Sequence, residues 1–195
     1  LPEGKMSSRT GNNILYADFR NELVDAARLE LEKRAQLPEK ELRKRALTIA
    51  VAAMKYTMLK QDTNKVIIFN KYDAIRFEGD TGPYLLYSYA RARSVLRKSK
   101  GAGKNKDFAI SSKEKVLLND LARFPEIVAN ANVNFNASGI AHYAYTLAQT
   151  FNEFYHSCQV IGSECEGFRL RLVKAFCQVM QNALHLLGIR ALEEM

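Results

Sequence analysis

The densest chemistry in the chain lies in the octapeptide Lys5-Met6-Ser7-Ser8-Arg9-Thr10-Gly11-Asn12. An ammonium, hydroxyls, a guanidinium and a Gly-Asn turn on one polar loop can offer cations, backbone amides and small donors to a polyphosphate. It is not a Walker loop, because Met6 stands where that motif needs Ser or Thr directly after Lys. By composition alone, a solvated Ser-rich basic loop is the commoner outcome for such a stretch. A second constellation is Tyr87 with Arg91: four residues apart, they share a helical face. There an aromatic plane and a guanidinium can stack on an unpaired base and hold its phosphate. The plain alternative makes Tyr84 and Tyr87 core aromatics and Arg91 a solvated charge. Tyr143 falls off the apolar stripe of its helix and is a further candidate for stacking a base, with Asn152 as a polar contact or a helix-to-helix clamp. Glu153 and His156 have the i, i+3 spacing of metal ligands but lack a partner pair, so a satisfied polar pair is expected. His156, Cys158 and Cys165 contain no C-x-x-C, and buried thiols are the better reading of Cys158, Cys165 and Cys177.

These residues need helices to hold them. Leu1 to about Tyr16 is polar and aperiodic, a loop. Asp18 then caps a helix expected over Phe19 to Gln36, with Leu23, Ala27 and Leu31 on one stripe. Leu37-Pro38 breaks it, and Pro38 suits the first turn of a second helix carrying Leu42, Ala46, Ile49, Ala53 and Tyr56 inward. The two make an α-hairpin. Val66-Ile67-Ile68-Phe69 is β-branched and too short for a helix, so a brief strand or extended packing segment is expected. Glu78 to Pro83 is a turn cluster before a helix from Tyr84 to about Lys98, with Thr81 or Gly82 near the cap. Its Tyr84, Tyr87, Tyr89, Arg91, Arg93, Arg97 and Lys98 suit it to face something anionic. Lys100 to Asp107 should be a solvated loop. Ser111-x-x-Glu114 matches a capping box ahead of Val116, Leu117, Leu118 and Leu121. Phe124-Pro125 punctuates that helix, and a short one follows over about Glu126 to Val133. The cleanest periodicity runs from Ser138 to Cys158 through Ile140, Ala144, Leu147, Phe151, Phe154 and Cys158. Gly167 to Leu187 is the last long helix, with Leu172, Phe176, Val179, Ala183 and Leu187 inward, stopped by Gly188-Ile189. The fold class is mainly α: a helical bundle after a signature loop and an α-hairpin, with at most one short strand. Three regions are expected, over 1–20, 21–78 and 79–195.

Composition bounds the rest. A chain of 195 residues with 47% hydrophobic content can bury a real core. Lys and Arg number 29 against 21 Asp and Glu, a net charge of +8 that makes a polyanionic partner plausible. No run of about 18 apolar residues is available to cross a membrane. The odd, sparse cysteines suit a reducing interior. The chain opens on Leu1-Pro2-Glu3-Gly4 without an initiator Met, so a cut is expected there.

Resemblance adds what spacing cannot. Lys5 to Asn12 resembles the second signature loop of class I aminoacyl-tRNA synthetases, in the K-M-S-S-R-x-G-N form of arginyl enzymes. Phe77-Glu78-Gly79-Asp80-Thr81-Gly82-Pro83-Tyr84-Leu85-Leu86-Tyr87-Ser88-Tyr89-Ala90-Arg91 is similar to the segment by which arginyl-tRNA synthetases enter their anticodon-binding domain. His142 to Tyr155 resembles a family helix ending in an F-N-x-F-Y pattern. Leu186 to Met195 is similar to the family's terminal stretch, in which the last methionine lies by the anticodon; a frayed tail is the alternative. The matches fall in family order along nearly the whole chain.

The resemblance implies an arginine–tRNA ligase in which arginine is activated by ATP, accompanied by Mg2+, and passed to its tRNA. Lys5 is then the catalytic lysine, and Lys5, Met6, Ser7, Ser8 and Arg9 form the ATP-binding loop. Ser8 departs from the generic K-M-S-K-S by replacing its second lysine, which leaves Arg9 as the substitute cation. Tyr87, Arg91, Tyr143 and Met195 are the implied tRNA-binding residues. Arginine and ATP would be held by a sheet domain absent from this chain, so no ligand is expected on this part alone, and this part alone is expected to be inactive. A cytoplasmic monomer is expected. The rivals are a cysteinyl or other class I synthetase, a non-catalytic helical RNA-binding module, and a plain interaction protein. If Lys5 stabilises departing pyrophosphate, Lys5→Ala in the complete enzyme should slow ATP–pyrophosphate exchange on the order of a hundredfold; an unchanged rate refutes the role.

Overall fold

The computed structural model describes residues 15–34, 36–99 and 109–195. Apart from short connections these residues are helical: α1 (Tyr16–Glu32), α2 (Glu39–Leu59), α3 (Lys71–Ala74), α4 (Gly82–Lys98), α5 (Ser112–Ala122), α6 (Phe124–Val133), α7 (Ser138–Ser157) and α8 (Glu166–Leu186). α1 and α2 form the expected hairpin, sealed by fully buried Leu23, Ala27 and Leu31 against the α2 stripe of Leu42, Ala46, Ile49, Ala53 and Tyr56. α4 lies against α2, α7 and α8, while α7 also packs on α5 and α6. One continuous core runs through both hairpin and bundle. No helix among the described residues is long and apolar enough to cross a membrane.

α4 is placed by three devices in its first turn. Thr81 is its N-cap, accepting from the Tyr84 amide while its own hydroxyl donates to the Arg76 carbonyl at 2.6 Å. Just before it, Asp80 receives the Tyr56 hydroxyl at 2.5 Å and the Lys60 ammonium at 3.1 Å, tying the turn to the end of α2. Burial, reinforced by that carboxylate, pushes the Tyr56 phenol far above its ordinary value, so it stays a donor. Third, Gly82 lets the helices touch backbone to backbone, since a Cβ there would lie 2.3 Å from the Ala52 carbonyl oxygen and 3.0 Å from Tyr56 Cβ. This is a packing requirement, distinct from backbone freedom.

The other boundaries follow local chemistry. The capping box is formed in both directions, with Ser111 accepting from the Glu114 amide and Glu114 from the Ser111 amide. Glu114 is fully buried and paired at 2.7 Å with Arg169 of α8, so the cap also joins two helices. Burial works to raise its pKa, but the bonds from Arg169 and Ser111 outweigh it and hold the carboxyl below its usual range. α8 ends as expected at Gly188, φ 65°: its amide bonds the His185 carbonyl and the Ile189 amide the Leu184 carbonyl.

Several expectations need correction. Asp18 is not the α1 cap; the helix starts earlier, from Leu15, and no side chain caps it. Asp18 sits in the first turn, where its charge still favours the helix dipole. α1 also ends at Glu32, short of Gln36, and Pro38 is the cap residue of α2, outside its first turn. Of the two readings of Val66 to Phe69 the strand fails, since none exists among the described residues, and the packing segment holds through Phe69. Only Phe69 is buried, edge-on to Phe19 at 4.9 Å. Lys100 to Asp107 lies outside the described residues.

An ordinary Gly→Ala change in a helix is stabilising. Gly82→Ala should instead destabilise the protein by about 1–3 kcal/mol as α2 and α4 are forced apart, read as a lowered denaturant midpoint.

Candidate nucleic-acid interface

Positions 84, 87, 88 and 91 of α4 recur at helical spacing, and Asn152 of α7 bonds three of them, Tyr84, Ser88 and Arg91. Asn152, 8% exposed, donates to the Tyr84 hydroxyl at 3.0 Å and the Ser88 hydroxyl at 2.9 Å. Its carbonyl oxygen accepts from Arg91 at 2.5 Å. Arg91 also donates to the Tyr87 hydroxyl at 2.9 Å. Its guanidinium carbon lies 4.7 Å from the Tyr87 ring centre and 5.1 Å from that of Tyr155 on α7. Among the described residues the partners of Arg91 are thus neutral groups and two ring faces, which orient the guanidinium without neutralising it.

This assembly forms one wall of a cleft of about 690 Å³. Tyr87, Arg91, Arg97 and Lys98 come from α4, Arg45 from α2, Tyr155 from α7, and Glu194 and Met195 from the segment after α8. The tail is bound by charge: Glu193 accepts from Arg93 at 2.6 Å and from the Tyr89 hydroxyl at 3.0 Å. Arg97 donates to the Glu193 carbonyl at 2.9 Å, and Glu194 lies between Arg97 at 3.5 Å and Arg45 at 3.3 Å. The bond to Glu193 holds the Arg93 guanidinium above its ordinary pKa, although partial burial opposes it. Burial, with the Glu193 bond, pushes Tyr89 up to about 12. Part of the basic row on α4 therefore faces an anion within the chain itself.

Of the residues singled out by sequence, Tyr87, Arg91 and Met195 meet at this one cleft. Lys5, Met6, Ser7, Ser8 and Arg9 lie outside the described residues. The placing of Tyr143 off the apolar face is wrong: it is only 8% exposed, its hydroxyl donates to the Asp120 carbonyl at 2.8 Å, and its ring packs 5.6 Å from Phe124. α7 is enclosed by neighbours on several sides, so a residue off its main stripe still meets α5 and α6. Twelve residues from Tyr155, it also stands about 18 Å along the helix from the cleft. Asn152 is the helix-to-helix clamp. Tyr155 was missed as a site residue, although it follows the Asn152 turn at i+3. No group of His, Cys, Asp and Glu suited to a metal exists among the described residues; Glu153 pairs with Lys113, and the three cysteines are free and buried.

Two tyrosine faces, an oriented guanidinium and further cations around an open cleft suit a single-stranded nucleic acid. The model of the DALR anticodon binding domain matches residues 85–195, more than half of the chain. The chain belongs to the DALR anticodon binding domain family. Relatives match over its whole length. The arginine–tRNA ligase of Porphyromonas gingivalis is 35% identical, with 35% of its own length covered, and that of Pyrococcus furiosus is 39% identical with 33% covered. The chain thus spans about a third of the length of these relatives. The solved arginyl-tRNA synthetase of Thermus thermophilus superposes over 99% of this chain and 34% of its own, with a TM-score of 0.90 and 30% identity. That of Plasmodium falciparum gives 0.82 over 93% of this chain and 34% of its own, at 26% identity. As a DALR domain, the bundle has its α4 and α7 wall locked by one asparagine. Asn152→Ala would leave the Tyr84, Ser88 and Arg91 groups short of a partner, and should cost about 1–3 kcal/mol in a urea titration.

Proposed function

We propose that this chain is the tRNA-reading part of an arginine–tRNA ligase, and that the cleft between α4, α7 and the tail receives the anticodon. The convergence of Tyr87, Arg91 and Met195 on one cleft in a DALR domain carries this reading. Tyr87 and Tyr155 offer stacking faces, Arg91 is held between them with its charge intact, and Met195 supplies an adaptable apolar wall. Tyr143 acts structurally, as a buried strut between α5 and α7. In this reading residues 1–20 end the catalytic region, 21–78 connect, and 79–195 bind the anticodon. Lys5 serves the ATP phosphates as the catalytic lysine, with Met6, Ser7, Ser8 and Arg9 shaping its loop. The whole protein joins L-arginine to its tRNA using ATP with Mg2+, as a monomer in the cytoplasm. The whole-length likeness to ligases of one amino acid supports arginine over cysteine.

Two measurements test this. The complete protein, offered each amino acid, should charge tRNA with arginine alone; charging with another, or with none, refutes the assignment. The Tyr87→Ala/Arg91→Ala variant should bind arginine-accepting tRNA about tenfold or more weakly, given the worth of one stacked base, while still charging a minihelix that lacks the anticodon. Equal tRNA binding by variant and wild type sinks the anticodon role.

A further inference from the structure

The segment after α8 is anchored far more heavily than a loose end needs. The Lys55 ammonium bonds the Gly188 carbonyl, and Glu193 and Glu194 then engage Tyr89, Arg93 and Arg97 of α4 and Arg45 of α2. Of these arginines Arg45 and Arg97 line the proposed anticodon cleft, while Arg93 lies outside its lining on the same helix as Arg97, and Arg45 is also held by Glu41 at 2.9 Å. Both carboxylates are half exposed, at 54% and 55%, and Arg93 and Arg97 are 39% and 42% exposed, so these two pairs are made at the surface that a nucleic acid would approach, whereas Arg45 is 13% exposed. In contrast, the partners of Arg91 among the described residues are all neutral groups.

We infer that Glu193 and Glu194 are specificity-determining residues: they shield Arg93 and Arg97 from indiscriminate phosphate contact, leaving the Tyr87–Arg91 wall as the place where RNA gains affinity. Unshielded arginines bind any phosphate backbone, whatever its sequence, and such binding raises affinity for wrong and right RNA alike. A carboxylate on each of these cations penalises RNA that offers only phosphate, because that RNA must displace an ion pair and approach two negative charges. An RNA that also stacks on Tyr87 and Tyr155 has a compensating gain. The same contacts fix Met195 at the rim of the cleft. This inference rests on the anticodon reading of the cleft, and its test separates the two.

The test compares the complete protein with its Glu193→Gln/Glu194→Gln variant. The probes are arginine-accepting tRNA and the same tRNA with its anticodon loop replaced, titrated at several salt concentrations. The variant should bind the altered-loop tRNA on the order of tenfold more tightly at low salt, with a log–log salt slope steeper by about one to two. Discrimination between the two tRNAs should fall accordingly. Unchanged or weaker binding of the altered-loop tRNA overturns the inference, including the case where both tRNAs weaken together because the tail merely supports the fold. A Tyr87→Ala variant with its tail intact serves as the separate arm. If it discriminates as well as wild type, the anticodon reading fails; if it loses discrimination while the acid variant does not gain altered-loop affinity, only the shielding role fails.

Discussion

The approach of α4 to α2 at Gly82 constrains nearly everything that follows along the chain. With the Ala52 carbonyl in the space a Cβ would occupy, the axis of α4 is set by contact between backbones and not by compressible side chains. Asp80 and Thr81 lock the same turn by bonding Tyr56, Lys60 and the Arg76 carbonyl. Because an α-helix is stiff over its length, fixing its first turn fixes the direction of residues 87, 91, 93 and 97 further along. α4 is therefore a ruler laid along α2, with its basic and aromatic groups at set positions.

On that ruler the polar groups are arranged by satisfaction as much as by charge. A buried asparagine is costly unless its amide is paired, and Asn152 places both of its ends on α4 side chains. The result is a directional lock between α4 and α7 that apolar packing alone would not supply. Glu114 plays a comparable part at the other side of the bundle, where a helix cap continues into a buried pair with Arg169. Arg169 also donates to the Gln159 carbonyl at 2.7 Å, so this pair reaches the 159–161 turn that lines the cleft. In both cases a polar group needed locally is reused to set the distance between elements.

The tail obeys different physics. Residues 188–195 leave the helical framework through the left-handed Gly188 and are held by cations of α2 and α4, with Ile189 buried beneath. Surface ion pairs are individually weak and screened by salt. Several acting on one short segment can still hold it in place while leaving its charges close to solvent. The cleft thus has one rigid wall, built on α4 and α7, and one wall whose seating depends on electrostatics.

The sequence by itself determined the helical architecture, because the hydrophobic period, a cap at Thr81 or Gly82, the Ser111–Glu114 box and the Gly188 stop are local features that act within a turn or two. It also determined the resemblance on which Lys5 and Met195 were singled out, and the shared face of Tyr87 and Arg91. Other features depended on partners distant in the chain. Tyr143 could not be placed, since a single apolar stripe describes a helix with one buried face and α7 has several. Tyr155 became a cleft residue only when α7 brought it to the other side of Arg91. Arg93 and Arg97 read as cations awaiting an outside anion, yet their counter-charges, Glu193 and Glu194, stand about a hundred positions away in the chain. Helices follow from short-range periodicity and capping; which charges remain available, and which aromatics are walls and which are struts, follows from long-range packing that only the tertiary structure decides.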